Sequence, residues 1–290
     1  MTLTRSLVRR LPRPARRRLV EARHLLRSMV RVERALPDLL IIGAQRCGTS
    51  SLYKYLGRHP QVVASTRKET EYFSGRYALG EHWYRAHFPS TRSITRGDVE
   101  RITFEATPDY MLDPRAAERA ASVVPDARII ALLRDPVART YSHYRHMVRL
   151  GYESLSFEEA LDAEHDRCRE DWRRIAVDPS YRPKSLLRYS YVERGHYALQ
   201  LDRWFEIYDE PSILLIRSED FFASTRQVFA RIQSFLGIDI WTPADMPNHS
   251  ETGPDNLHID PSVRDRLREH FASHSAELTR LGFKPDWVTT

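Results

Sequence analysis

The 290-residue chain holds two cysteines, Cys47 and Cys168, and four lysines. Two thiols make neither a disulfide framework nor a paired-cysteine zinc pattern. That fits a reducing, intracellular compartment. No run of about 18 apolar residues occurs, so no transmembrane helix is expected. The N-terminus has no apolar core of a signal peptide. The Gly-x-Gly-x-x-Gly fingerprint of dinucleotide-binding folds is missing, and so are internal repeats. With 41% hydrophobic and 29% charged residues, the composition is that of an ordinary globular protein.

The scarcity of lysine makes the charge arithmetic informative. Lys54, Lys68, Lys184 and Lys284 leave 41 of the 45 basic residues as arginine, for a formal net charge of +6. Residues 1–36 carry 11 arginines against two glutamates, so everything after them is slightly acidic. A nucleic-acid-binding domain spreads its basic surface over the fold, and that class is excluded. In the basic extension, Leu19, Ala22, Leu26, Met29 and Val30 recur at steps of three and four, with Leu25 beside them. This spacing predicts an amphipathic helix over 15–35. Three readings stay open for it: packing on the body or on a second subunit of a homodimer, peripheral contact with an anionic membrane, or a solvated extension.

The body, 37–290, reads as one domain. Leu39–Ile42, Val62–Ala64, Ile102–Glu105, Ala127–Leu133 and Ile213–Ile216 are candidate strands, and helical patterns alternate with them. Alternation of this kind predicts an α/β fold with a mostly parallel sheet. A polar, arginine-rich insert covers 151–194, with a helix expected from Phe157 to Cys168.

Two segments carry chemistry. Gly43-Ala44-Gln45-Arg46-Cys47-Gly48-Thr49-Ser50-Ser51 links the first strand to a helix. Its glycine spacing is close to that of a triphosphate-binding loop, but Thr49 stands where that motif needs lysine. A cation inside the loop, backbone amides at a helix start and three hydroxyls still suit an oxyanion. A ligand-free turn and an unusual kinase or nucleotidase are the competing readings. In the second segment, Leu132-Leu133-Arg134-Asp135-Pro136, a strand again ends in a cation and a helix follows. Ser142 lies two turns along that helix, while Arg139 and Arg145 read as surface positions.

Taken in order, these segments resemble the nucleotide sites of sulfotransferases that use 3′-phosphoadenylyl sulfate (PAPS), the bacterial and heparan-sulfate-type members above all. Glu69-Thr70-Glu71-Tyr72-Phe73, Thr107-Pro108-Asp109-Tyr110 and Arg194-Gly195-His196-Tyr197 also resemble family landmarks. The resemblance runs from about Leu39 to Gly237. It implies a P-loop-like three-layer fold, PAPS as donor, 3′,5′-ADP as product, and no required metal. It also implies a 5′-phosphosulfate loop of Gly43, Arg46, Cys47, Gly48, Thr49, Ser50 and Ser51, and a 3′-phosphate site of Arg134 and Ser142.

Within the resemblance, Arg46 stands where the family commonly has lysine. Its guanidinium binds an anion well but is a poor proton donor, so its expected role is electrostatic. Glu69 resembles the acidic residue that takes the acceptor's proton; the alternative is a carboxylate paired to Lys68 or Arg67. Lys68 is expected to face nucleotide or substrate. Ala106 replaces a second lysine frequent in heparan-type members, which leaves Glu105 as a substrate ligand or a supporting residue. Residues 248–254, with Arg264 nearby, are the expected lid. His143, His146, His165 and His196 are expected to pack or lie on the surface. The expected acceptor is a carbohydrate, a glycolipid or a small secondary metabolite. The expected location is cytoplasmic, at the inner face of the membrane if the extension binds there. A kinase-like phosphotransferase and a non-catalytic 3′-phosphonucleotide-binding protein are the alternatives.

Overall fold

The computed structural model describes residues 21–22, 24–30, 32–95, 101–247 and 258–288. Five strands form one sheet: β1 (Leu39–Gly43), β2 (Val62–Ala64), β3 (Ile102–Ala106), β4 (Arg128–Leu133) and β5 (Ile213–Arg217), in the order β2-β3-β1-β4-β5. Every pairing is parallel. Leu39–Ile42 and Ile129–Leu133 have no exposed surface, so the centre of the sheet is covered on both faces. Such strands need continuous apolar runs rather than alternation, which is the pattern the sequence carries.

Parallel strands bring their carboxyl ends to one edge, where α/β folds bind ligands. Here that edge gathers Gly43, Ala106, Leu133 and Arg217. Two helices leave it: α1 (Thr49–Leu56) after β1 and α2 (Pro136–Arg149) after β4. The α2 helix is cut cleanly at its start. The Asp135 side chain accepts from the Val137 amide, and Pro136 fills a first-turn position that needs no N–H donor.

Three boundaries differ from expectation. The insert helix splits into α3 (Phe157–Asp162) and α4 (Glu164–Val177). The buried Glu164 carboxylate sits at the break and accepts from the Val192 and Glu193 amides. After β5, a helical pattern becomes α5 (Ser218–Ala223) and α6 (Thr225–Leu236), separated at Ser224. In the basic extension, helix among the described residues stops at 29. Residue Arg34 then bridges Ser90, while Arg27 and Arg34 donate to the Ala86 and Phe88 carbonyls at 2.7–3.1 Å. His24, stacked on His87 with ring centroids 3.7 Å apart, is the buried residue of this segment. The expected apolar stripe points outward instead: Leu25, Leu26, Met29 and Val30 are all more than half exposed. No described helix is long and apolar enough to cross a membrane.

Candidate active site

The loop after β1 is tied down on both sides. Ala44 N–H donates to Leu132 O at 2.7 Å, and Ser218 Oγ donates to Cys47 O at 3.0 Å. Two residues take positive φ, Arg46 at 71° and Gly48 at 100°. The second value suits glycine alone, and space is short as well, since a Cβ on Gly48 would stand 3.0 Å from the Phe222 ring. The turn at Arg46 directs its side chain across the sheet edge. There Arg46 Nε donates to Ser142 Oγ at 3.2 Å. Residues 96 positions apart, expected on opposite ends of one nucleotide, therefore meet.

The remaining loop residues are unequal. Thr49 is buried and Ser50 exposed, while Ser51 is fully buried beside Tyr55. Cys47 is also fully buried, and that burial pushes its thiol up to about 11. It is a packed side chain, not a nucleophile. Arg134 extends from the end of β4, with its carbonyl accepting from Tyr197 O–H at 3.0 Å. Arg139 overturns its expectation of a surface position. It is fully buried on α2 and donates to Tyr191 O and to Thr140 Oγ1. The reason is that the insert packs over that face of α2, leaving no solvent side there. His143, on the same helix, packs edge-on against Tyr191 and stays neutral, its pKa driven well down by burial.

The segment before the third strand supplies the acidic groups. Lys68 Nζ and Glu69 Oε1 form an ion pair at 2.9 Å, with 40% of the Glu69 side chain open to solvent. Glu71 is held by Arg67, Arg76 and Arg182, the last from the insert. Glu105 is not a substrate ligand, because it has no exposed surface. It accepts four hydroxyls at 2.7–2.8 Å: Thr70, Thr107, Tyr84 and Tyr110. The next strand residue, Ala106, is equally buried and pairs in register with Ile41. No room opens toward an acceptor at that position.

A cavity lies between this segment and the insert, lined by Glu71, Asp109, Trp172, Arg182, Leu186 and Arg194 among others. Asp109 and Arg194 form a buried ion pair at 2.8 Å on its wall. Burial raises the Asp109 pKa, with the Arg194 charge opposing and Glu69 and Glu71 adding to the rise. Sequence landmarks contained both members of this pair without revealing that they pair. Tyr84, by contrast, had no signal in the sequence at all. His196 also proved more than a surface residue, since it meets His270 and His274 from the last long helix. The expected lid, 248–254, lies outside the described residues.

Comparison with known proteins fits this geometry. The family description "Sulfotransferase domain" matches residues 36–249. A mouse bifunctional heparan sulfate N-deacetylase/N-sulfotransferase 4 is 32% identical over 211 residues, which cover 70% of this chain and 22% of that protein. The membrane-associated sulfotransferase kil1 of Dictyostelium discoideum is 27% identical, covering 70% of this chain and 56% of its own length. The chain thus spans between a fifth and about half of these curated relatives. Among solved structures, a sulfotransferase from Alicyclobacillus acidocaldarius superposes with a TM-score of 0.69 at 28% identity, covering 88% of this chain and all of that one. A parallel sheet whose carboxyl edge joins Arg46 to Ser142, together with a family match across most of its length, shows that this chain belongs to the sulfotransferase family.

Proposed function

We propose that the protein transfers a sulfuryl group from PAPS to a hydroxyl or amine of a carbohydrate-type acceptor. The observation that carries this reading is the meeting of Arg46 with Ser142 above a glycine-shaped loop. It supports a cation shared between the sites expected for the two ends of a 3′,5′-bisphosphate. PAPS brings the transferable sulfuryl group and a bisphosphate leaving group. The Gly48 backbone, Thr49 and Ser50 line its 5′ side, and Arg134 and Ser142 hold its 3′-phosphate. Arg46 stabilises negative charge growing on the leaving oxygen, as a fixed donor aimed at a developing charge does. Glu69, partly open to solvent and adjacent to Lys68, accepts the proton of the attacking acceptor.

The heparan-sulfate relatives support a carbohydrate-type acceptor. Labelled PAPS incubated with saccharide acceptors tests the reaction, with ATP and magnesium as the phosphotransferase control. Substituting Arg46→Ala or Arg134→Ala weakens 3′,5′-ADP binding at least tenfold by calorimetry. Unchanged binding in both variants removes the site assignment.

A second proposal concerns placement. The outward stripe of Leu25, Leu26, Met29 and Val30 belongs to the arginine-rich extension, a combination suited to an anionic membrane surface. The reading is of an enzyme resting on the inner face of the membrane. Co-sedimentation with anionic but not zwitterionic vesicles, abolished by Leu26→Asp/Met29→Asp, is the expected result. Equal sedimentation of the variant refutes it.

A further inference from the structure

Three histidines far apart in sequence converge on one small volume. His270 and His274 lie four residues apart on the helix Pro261–Glu277, hence on one face of it. His196 stands at the N-terminal cap of the helix Tyr197–Phe205. A ring nitrogen from each falls within 4.8 Å of the others, and His196 Nε2 and His270 Nε2 are 2.8 Å apart. Nothing in the sequence pattern links His196 to His270 or His274. The reason is plain, since 74 residues separate His196 from its first partner.

We propose that His196, His270 and His274 form a binding site for a divalent transition metal of the Zn2+ type, separate from the transfer site. Three imidazoles are a frequent ligand set for zinc, leaving a fourth position for water. Zinc–nitrogen bonds of about 2.0–2.1 Å in a tetrahedral site put ligand nitrogens about 3.3 Å apart. The present spacing brackets that value, so small side-chain rotations suffice. His270 is exposed, which gives an ion a route in. The set contains nitrogen donors only, which disfavours magnesium and calcium, both of which prefer oxygen.

Position gives the site a consequence. The same helix places Phe271 hard against Gly195, where a Cβ would stand 2.5 Å from the ring. Arg194, next in the chain, holds Asp109 in the cavity wall. A metal bridging His196 to His270 and His274 therefore pins the C-terminal helix to the turn that carries Arg194. It acts as a clamp on the wall of that cavity and takes no part in bond making.

The test uses the full-length protein, stripped with chelator and titrated with ZnCl2, with melting temperature and calorimetric stoichiometry read together. One Zn2+ per chain and a rise in melting temperature of about 5–10 °C at a hundredfold excess over Kd are expected. The His270→Ala and His274→Ala variants each lose that rise while binding 3′,5′-ADP as the unsubstituted protein does. Co2+ substitution gives the intense visible bands of a tetrahedral site, and these disappear in both variants. An equal zinc response in the unsubstituted protein and the two variants overturns the proposal, as does the absence of any response. The nucleotide readout separates this outcome from failure of the transfer reading, because neither variant touches the phosphate site.

Discussion

Replacing Glu105 with glutamine removes one charge and one acceptor from a sealed site while keeping the volume. Four hydroxyl donors converge on the carboxylate at 2.7–2.8 Å. The amide nitrogen of glutamine accepts nothing, so two of these hydroxyls must turn around. Thr70 has an alternative partner in Tyr110 O–H at 2.9 Å, but the Thr107 hydroxyl has no second acceptor in reach among the described contacts. Leaving one buried donor unsatisfied costs about 1–3 kcal/mol, and turning two charge-assisted bonds into neutral ones adds to that. The Glu105→Gln variant is therefore destabilised by about 2–4 kcal/mol in urea unfolding at pH 7.

A second signature is its pH dependence. Burial raises the Glu105 pKa in the folded protein. The folded state then holds a proton that the unfolded state releases above its ordinary value of 4.5. The carboxyl's contribution to stability is complete below that value and declines as pH rises through the folded pKa. Glutamine does not titrate, so the variant lacks this slope. Because Thr70 follows Glu69 directly, kcat should fall further than 3′,5′-ADP affinity does. A variant within 0.5 kcal/mol of the unsubstituted protein, with the same pH slope, would refute the idea that a carboxylate organises this cluster.

Gly48→Ala weakens 3′,5′-ADP binding at least tenfold, because it combines a strained φ of 100° with a Cβ pressed on Phe222; Gly80→Ala, at φ 78° with open space around it, leaves binding unchanged in the same calorimetry. Asp109→Asn removes the only charge paired with the Arg194 guanidinium among the described ion pairs, leaves it the Ser190 Oγ and Leu186 O acceptors, and lowers unfolding free energy by about 3 kcal/mol in denaturant titration. Burial holds His24 down to about 4 from an ordinary 6.5. Docking of residues 24–30 is thus at full strength above pH 6.5 and is lost as pH falls toward 4. Limited proteolysis of that segment should accelerate at pH 5, by about 30-fold at most, and a flat profile between pH 5 and 8 counts against it.

The strands and the two strand-to-helix segments at the carboxyl edge of the sheet were legible because their signals are local. Leu39–Ile42 is apolar at every position, and Gly43, Gly48 and Pro136 punctuate it and its counterpart at β4. Each such signal fits within about ten residues. What escaped were features that depend on which distant segments meet. Arg139 has surface spacing on its own helix, yet the insert buries it. Glu105 has the alternation of a strand residue, while its four partners come from three separate stretches. The extension's apolar stripe was legible, but its direction was decided by arginines donating to carbonyls 54–61 residues away. The helix break at Ala163 followed a long-range tie as well, with Glu164 accepting from the Val192 and Glu193 amides.

On the proposed placement of the nucleotide, the 3.2 Å contact between Arg46 and Ser142 would make recognition of its two ends one event rather than two. On that placement, deleting Ser142's hydroxyl would remove a phosphate donor and also the group that positions Arg46. The losses from Arg46→Ala and Ser142→Ala should therefore overlap in a double-mutant cycle, the pair costing less than the sum of the singles. The same coupling would give selectivity against adenosine nucleotides lacking a 3′-phosphate, such as ATP. They engage one half of a linked pair and leave the other half to hold the arginine where it is.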